Sequence, residues 1–422
     1  MPTSLALDCD GHGTNGGGET GLTVAMMASR IPPAYSGAGA QALALASHLR
    51  EHGVMVELLS YNRVLASRVE TINGVTVRRS SGERLVRALP SRYRNPARTL
   101  IYCLWLTLRL AVGRYDVYHV HGNYLYAVPA AIVGRIRRIP VVIKVTCLGD
   151  DDAAAHAQRR WGPLPLGWFY NFTSRTASAI IALNAEIARS HRDLFPSVPI
   201  AELPNGVDMQ RFAATAARRV RGRRALDIDD DTVVALFVGY IGERKGITDL
   251  LQGWFAFEAD RGGSPSKAVL LLVGPKANYA SDFAPEAFEL ATSSRGRAAG
   301  IRLLEQVGLD DMPQIYASAD VFLLPSRAEG MANSVLEAMA AGLPVIATQV
   351  PGNIELLAGE SGSIVIPPRS PSAIAQALRQ IESTLNSNGS GYSPRTPRLP
   401  DAYSLSNTAA RYRRLYETLR RS

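Results

Sequence analysis

The sequence predicts an α/β protein of two domains, each built on a parallel sheet. Strand-like and helix-like patterns alternate along almost the whole chain, and that alternation is the mark of parallel pairing through helical crossovers. At 422 residues the chain is too long for one ordinary core and suits two domains of about 200 residues each. Asn205-Gly206, near the midpoint, is a natural turn between the halves.

The first half opens with a stretch of Gly, Thr and Asn over residues 1–20, which is expected to be a disordered tail. It lacks the basic-then-apolar order of a signal peptide. Gly11, Gly13 and Gly16 fall at dinucleotide-fingerprint spacing, but no helix pattern follows them, so that motif is rejected. The first strand runs from Leu22 to Ala28. A small-residue loop, Ser36-Gly37-Ala38-Gly39-Ala40, follows it at the sheet end where open α/β sheets place their ligands. Ala42, Leu43, Leu45, Ala46 and Leu49 then keep helical spacing up to a C-cap at Gly53, and the next strand is Val54 to Leu59.

Further strands are expected at Val75–Arg78, Val117–His121, Val141–Val145, Ile180–Leu183 and Ile200–Leu203. Between the first and second of these lie Arg84, Arg87, Arg92, Arg94 and Arg98, mixed with Leu85, Leu89 and Tyr93. This basic segment predicts a weak, reversible contact with an anionic membrane surface. The apolar run Leu100–Val112 is broken by Arg109 and is shorter than the ~20 residues that cross a bilayer, so a core helix is expected there.

The second half repeats the plan, with strands at Val233–Gly239, Ala268–Gly274, Ile301–Leu304, Val321–Leu324, Val345–Thr348 and Gly362–Ile366. Residues 386–402 form a polar loop, and a last helix spans Ser406 to Arg420.

Composition narrows the function classes. A hydrophobic share of 46% with 20% charged residues describes a globular protein with ample core. Three scattered cysteines, Cys9, Cys103 and Cys147, form no metal spacing and leave one unpaired in any disulfide scheme, which favours a reducing cytoplasm. The net charge of +9 allows anionic membranes, nucleic acid or phosphorylated substrates as partners. The charge is spread along the chain without interleaved surface aromatics, so nucleic acid is not expected.

The chemistry concentrates in residues 319–346, which read as strand, loop, helix, turn, strand. Glu329 stands just before the helix and Glu337 about two turns inside it. Unpaired backbone N–H groups at a helix start make a phosphate seat, here with an acid beside it. Two helical turns span about 10 Å, roughly the reach from a sugar through a diphosphate to a ribose. On that spacing Glu337 accepts the vicinal ribose hydroxyls, Glu329 holds hydroxyls of a transferred sugar, and Gly330, Met331, Ala332 and Asn333 offer backbone contacts. Arg244 and Lys245, between Gly242 and Gly246 at another strand-to-helix turn, supply positive charge for a departing diphosphate. No Ser-His-Asp order, metal-ligand cluster or Walker loop is present in the sequence.

These segments resemble the retaining GT-B glycosyltransferases of family 4. The Glu-x7-Glu signature is Glu329 to Glu337. Val238-Gly239 followed by Glu243-Arg244-Lys245-Gly246-Ile247 resembles the family's strand and Lys-Gly turn. Pro204-Asn205-Gly206-Val207-Asp208 with Phe212 resembles its passage into the second domain. Leu272-Val273-Gly274, Gly362 to Pro367 and Tyr403-Ser404 running to Tyr416 complete the family order over roughly residues 20–420.

The resemblance implies a GT-B fold: two Rossmann-like domains with parallel sheets facing an interdomain cleft. The expected divisions are a tail at 1–20, an acceptor domain at 21–205, a nucleotide-sugar domain at 206–390, and a block at 391–422 whose helix returns to the first domain. It implies a nucleotide diphosphate sugar as donor, retention of configuration, and catalysis without a metal or other cofactor. Gly239 would lie at the donor, and Gly37 to Gly39 would approach donor phosphate or acceptor from the other domain.

Two departures stand out. The family often has an arginine just after the glycine that Gly239 matches, where this chain has Tyr240, so either Arg244 supplies the second charge or leaving-group stabilisation depends more on Lys245. The strand Pro140 to Val145 ends in Thr146 where many relatives have a histidine. Thr146 can still hydrogen-bond to a sugar, and His119 and His121, on one face of a neighbouring strand, are candidates to face the cleft. Asp150-Asp151-Asp152 formally contains the metal-diphosphate motif of another transferase fold, but Asp150 and its neighbours are expected to bind acceptor hydroxyls or cap a helix.

The expected function is transfer of a hexose-type sugar to a saccharide or lipid-linked saccharide acceptor, in cell-surface polysaccharide or glycoconjugate biosynthesis. The expected setting is the cytoplasm, peripherally at the inner face of the plasma membrane. With no carboxylate placed as nucleophile, front-face departure and attack is the expected route. The alternatives are a nucleotide-sugar epimerase on the same architecture, and a non-catalytic basic module for lipid or polyanion.

Overall fold

The computed structural model describes residues 21–33, 36–61, 68–149, 151, 160–161, 164–262, 267–275, 282–305, 307–387 and 395–421. The tail 1–20, with Cys9, lies outside the described residues, as does Asp150. The chain divides into two compact units. One holds the chain up to Gly206 and again from Leu405; the other is Val207–Ser404. The return to the first unit therefore begins at Leu405, while the described part of the segment before it, from residue 395, stays with the second.

The first unit is built on β1 (Leu22–Met27), β2 (Val54–Tyr61), β3 (Val69–Ile72), β4 (Val75–Ser80), β5 (Val117–His121), β6 (Val141–Val145), β9 (Ala179–Ala182) and β10 (Ile200–Glu202), with a two-residue ribbon of β7 (Arg160–Trp161) and β8 (Leu164–Pro165) outside the sheet. The sheet order is β10-β9-β6-β5-β1-β2-β4-β3. The order in which successive strands are added reverses between β1 and β5, which run parallel, and this is the switch point where doubly wound sheets leave a crevice. Central strands such as Leu22–Met27 and Val117–His121 are buried on both faces, the second with His119 and His121 among its buried side chains.

One strand departs from the parallel expectation. β3 pairs antiparallel with β4 through Asn73-Gly74, both left-handed at φ 49° and 74°. The Asn-Gly pair between two short alternating runs was a readable hairpin signal, and the sequence reading passed over it.

The helices of this unit used below are α1 (Gly37–Glu51), α2 (Glu83–Ala88), α3 (Ser91–Val112), α4 (Ala127–Arg137) and α5 (Leu166–Thr176). The C-terminal helix, Leu405–Arg421, packs on α1. Ala42, Leu45, Ala46 and Leu49 of α1 and Ala409, Tyr412, Leu415 and Tyr416 of the C-terminal helix share one core with the sheet. Asn205-Gly206 is not a left-handed turn. Gly206 is needed because a Cβ there would lie 2.7 Å from Thr408 Oγ1 and 2.9 Å from Leu405 Cα, so only a bare backbone lets the C-terminal helix start where it does.

Leu100–Val112 is helical, but the core-helix expectation is corrected. In α3 only Tyr102, Leu106 and Leu110 are buried, while Leu100, Leu104, Leu108 and Val112 are exposed. Among the described residues no helix is long and apolar enough to cross a membrane.

The second unit has six parallel strands: β11 (Val233–Val238), β12 (Ala268–Val273), β13 (Ile301–Leu304), β14 (Val321–Leu324), β15 (Val345–Thr348) and β16 (Ile364–Ile366), in the order β13-β12-β11-β14-β15-β16. Its switch point lies between β11 and β14. The helices that matter there are α6 (Ile247–Asp260), α7 (Met312–Ser318), α8 (Asn333–Ala340) and α9 (Pro351–Leu357).

Candidate active site

The loops after β11 and β14 meet at the switch point of the second sheet. A short 3-10 turn, Glu243–Lys245, follows β11, and Gly246 at φ 70° redirects the chain into α6. A Cβ on Gly246 would stand 1.9 Å from Pro325 O, so the two loops touch backbone to backbone. The Arg327 amide donates to Arg244 O at 2.8 Å. The Arg327 guanidinium pairs with Glu243 at 2.6 Å and with Asp249 at 3.3 Å.

These ties bring Lys245 to Glu329, whose residues lie 84 positions apart in the chain, with Nζ to Oε1 at 2.5 Å. The Glu329 side chain is 7% exposed. Burial pushes its carboxyl pKa up, but the charges of Lys245 and Arg244 and the Lys245 hydrogen bond outweigh it and hold the group below the usual carboxylate range.

Tyr240 explains how Arg244 is oriented. Arg244 Nε donates to Tyr240 Oη at 2.8 Å, and the Arg244 amide donates to Asp282 Oδ1 at 2.9 Å. The guanidinium carbon of Arg244 lies 5.7 Å, and Lys245 Nζ 5.8 Å, from the Tyr240 ring centroid. An aromatic face thus collects both cations. Burial pushes the Tyr240 phenol pKa up.

The second carboxylate stands closer to the helix start than the spacing predicted. α8 has eight residues and begins at Asn333, so Glu337 is its fifth residue, one turn in rather than two. Ala332 caps it with no side-chain hydrogen bond. Gly330, Met331 and Ala332 are buried, and a Cβ on Gly352 at the start of α9 would come within 2.3 Å of Gly330 O. This close backbone approach sets the path of the loop. Gly239 ends β11 beside it, with its amide bonded to Val273 O at 2.9 Å.

Burial pushes Glu337 up to about 7, partly offset by the Tyr316 hydroxyl and by Arg211. Tyr316 Oη donates to Glu337 Oε2 at 2.6 Å. One carboxylate oxygen is therefore already engaged, which revises the expected bidentate capture of two ribose hydroxyls. The sequence reading missed Tyr316, which lies 21 residues away on another helix and carries no spacing signal.

The first-unit candidates fare differently. Gly37 and Gly39 belong to the first turn of α1, not to a loop; Ser36 caps it by accepting from the Gly39 amide at 3.2 Å. Gly39 is small because a Cβ would lie 1.7 Å from Arg30 O, while Gly37 and Ala38 are exposed at the helix start. The Thr146 hydroxyl donates to Asp151 Oδ2 at 2.8 Å, so toward a sugar it can act only as an acceptor. Asp151 is fully buried and also accepts from the Thr146 and Cys147 amides, so it folds its own loop.

His121, expected as a candidate to face the cleft, is buried in the first unit. It is 2% exposed, with its ring 4.3 Å from that of His119, and His119 bonds Tyr416 Oη of the C-terminal helix at 2.7 Å. Burial, then the neighbouring His119 and Lys144, holds His121 well below the usual histidine range. Beside them Lys144 is buried and donates to Asn205 Oδ1 at 2.8 Å; burial brings its pKa down to about 7.

Within the second unit the structure thus gathers Lys245, Arg244, Glu329, Gly239 and the segment Gly330–Glu337 at one sheet end. Two doubly wound units, one with a cationic turn paired to an acid at its switch point, are the architecture of the GT-B fold.

Comparison with known proteins agrees. The family described as "Glycosyl transferases group 1" matches residues 232–383, and "Glycosyl transferase 4-like domain" matches residues 36–206. The D-inositol 3-phosphate glycosyltransferase of Geodermatophilus obscurus is 30% identical over 274 residues, 64% of this chain and 60% of that protein. The putative teichuronic acid biosynthesis glycosyltransferase TuaC of Bacillus subtilis is 27% identical over 301 residues, 70% of this chain and 69% of that one. Sucrose-phosphate synthase of Thermosynechococcus elongatus superimposes with a TM-score of 0.73 at 20% identity, covering 94% of this chain and 99% of its own. The chain belongs to the group 1 glycosyltransferases of the GT-B fold.

Proposed function

We propose that this protein is a retaining, metal-independent glycosyltransferase. It moves a hexose-type sugar from a nucleotide diphosphate sugar to a saccharide or lipid-linked saccharide acceptor in cell-surface polysaccharide or glycoconjugate biosynthesis. It works in the cytoplasm, peripherally at the inner membrane face. The observation that carries the reading is the 2.5 Å pair between Lys245 and Glu329 at the switch point.

In this mechanism the diphosphate lies against Lys245, Arg244 and the start of α8, and Glu337 takes a ribose hydroxyl. Glu329 shares Lys245 with the leaving group and holds hydroxyls of the sugar. The bond from the anomeric carbon to the phosphate oxygen breaks as charge grows on the diphosphate, and the two cations stabilise that charge in place of a divalent ion. The acceptor hydroxyl attacks from the same face and passes its proton to the departing phosphate, so configuration is kept. Gly37, at the exposed start of α1, is the first unit's contribution to acceptor binding.

Thermal-shift screening against UDP-, GDP- and ADP-sugars identifies the donor. With that donor, Lys245→Ala and Glu337→Ala each lower turnover more than tenfold, which is over ~1.4 kcal/mol of barrier, in chains that still fold. Wild-type rates in either variant overturn the assignment. Loss of activity in EDTA overturns metal independence, an inverted product anomer overturns retention, and donor turnover without any acceptor favours an epimerase.

A further inference from the structure

The four helices α2, α3, α4 and α5 of the first unit form a face that nothing in the donor chemistry uses. α4 packs beside α3, and α5 beside α4, so their outward sides make one layer on the sheet. On α3 the exposed apolar residues recur every fourth position: Leu100, Leu104 at 58% exposure, Leu108 at 69% and Val112 at 75%. That period puts them on one stripe of the helix, opposite the buried Tyr102, Leu106 and Leu110. α4 adds Ile132 and Ile136, the latter 76% exposed, and α5 adds Trp168 at 63%. Leu85, Leu89 and Tyr93 continue the apolar surface over α2 and the start of α3.

Scattered exposed leucines are ordinary, but a contiguous stripe across neighbouring helices marks a binding surface. Its charge says what binds. The four helices contain one carboxylate, Glu83, and it is buried against Arg98, with Arg87 on its outer side. Of the basic segment Arg84 to Arg98, Arg98 therefore faces inward. Arg84, Arg92 and Arg94 remain exposed, joined by Arg135 on α4 and Arg138 at its end. An apolar stripe bordered by cations and without exposed acids complements an anionic lipid surface, with aliphatic residues entering the headgroup boundary and arginines meeting phosphates. Trp168 and Tyr93 are the residue types that settle at such a boundary. A second copy of the chain fits poorly, because a twofold contact through this face would set arginines against arginines.

We propose that the α2–α5 face, centred on Leu104 and Leu108, is the surface by which this protein docks on anionic membranes. The docking rests on the peripheral-membrane reading above and names the face responsible for it. It would present the chain to a lipid-linked acceptor.

The test is flotation of the full chain with vesicles of phosphatidylglycerol and phosphatidylcholine against phosphatidylcholine alone, at low and high salt. Wild-type protein floats with the anionic vesicles and largely leaves them at high salt. Leu104→Glu with Leu108→Glu lowers the bound fraction more than tenfold, and Arg84→Glu with Arg92→Glu lowers it several-fold, while melting and the thermal shift with the nucleotide sugar stay unchanged. Three results overturn the proposal. One is absence of wild-type flotation; another is wild-type flotation by the leucine variant. The third is a concentration-dependent dimer, abolished by that variant, in a protein that ignores vesicles. Vesicle binding without transfer to any acceptor would count against the glycosyltransferase reading and leave this face standing.

Discussion

Tyr316 donates its phenolic O–H to Glu337 Oε2 at 2.6 Å, tying α7 to α8 at the carboxylate assigned to the donor ribose. Burial alone drives Glu337 toward its neutral form, and the Tyr316 hydroxyl acts in the opposite direction. The carboxylate form, which accepts ribose hydroxyls, prevails above about pH 7. Removing the donor raises the titration further. Tyr316→Phe is therefore expected to weaken nucleotide diphosphate affinity about three- to tenfold at pH 7.5, consistent with loss of one hydrogen bond to a charged group, and to recover toward pH 9. Calorimetric affinities across pH 6 to 9 check this, with Glu337→Gln as the variant whose profile loses the Glu337 step. An unchanged pH midpoint in Tyr316→Phe would show that the hydroxyl only packs. The same raised pKa makes Glu337 a stabilising group at low pH, a contribution lost as pH rises from about 4.5 through about 7.

Lys245 and Glu329 are expected to be coupled in stability as well as in catalysis. Their side chains are 13% and 7% exposed, so removing one leaves a largely buried charge without its partner. Lys245→Met and Glu329→Gln should each destabilise the second unit, and the double variant should lose less than their sum, with a coupling of about 1–3 kcal/mol. Urea unfolding of the four proteins measures it, and additivity within a few tenths of a kcal/mol would mean that the pair contributes nothing to the folded enzyme.

Gly246→Ala tests how the turn is held. At φ 70° a Cβ carries a left-handed penalty of about 1–2 kcal/mol, and here it would also meet Pro325 O at 1.9 Å. The expected result is a melting temperature lowered by several degrees and turnover reduced at least tenfold, because Lys245 sits on the adjoining residue. Retained melting with retained turnover would mean that the two loops separate freely.

Lys144→Met reports on the buried lysine beneath the C-terminal helix. Burial lowers its folded pKa to about 7, from 10.5 for a lysine in water. Between those values the unfolded chain binds a proton that the folded chain does not, so wild-type stability falls as pH drops from about 10.5 to about 7 and is level below that window. Relative to Lys144→Met, the wild type should gain on the order of 3 kcal/mol between pH 7 and pH 9.5. Urea midpoints at the two pH values check it; a difference independent of pH would place the ammonium in contact with water.

Much of the donor site was legible because its signals are local. Glu329, the helix start and Glu337 fall within one strand-loop-helix, and Arg244-Lys245 sits in one turn, so short-range spacing sufficed to group them. The helix length was less legible. α8 starts at Asn333 because the backbone of Gly330 is pressed by α9, a contact that spacing does not encode.

The amino-acid order by itself determined the α/β alternation, the parallel pairing of every strand but β3 in the two large sheets, and the clustering of cations and acids after β11 and β14, since each follows from residue periodicity over a few turns or strands. Only the tertiary structure decided which hydroxyl holds Glu337, that Tyr240 gathers both cations, that Asp151 accepts from the Thr146 hydroxyl, and that His119 and His121 lie buried under a helix from the far end of the chain. It also decided that α3 turns its leucines outward, because a helix buries only the stripe that its neighbours cover. Some of these contacts join residues tens to hundreds of positions apart and others only four or five, and packing rather than residue periodicity selects them.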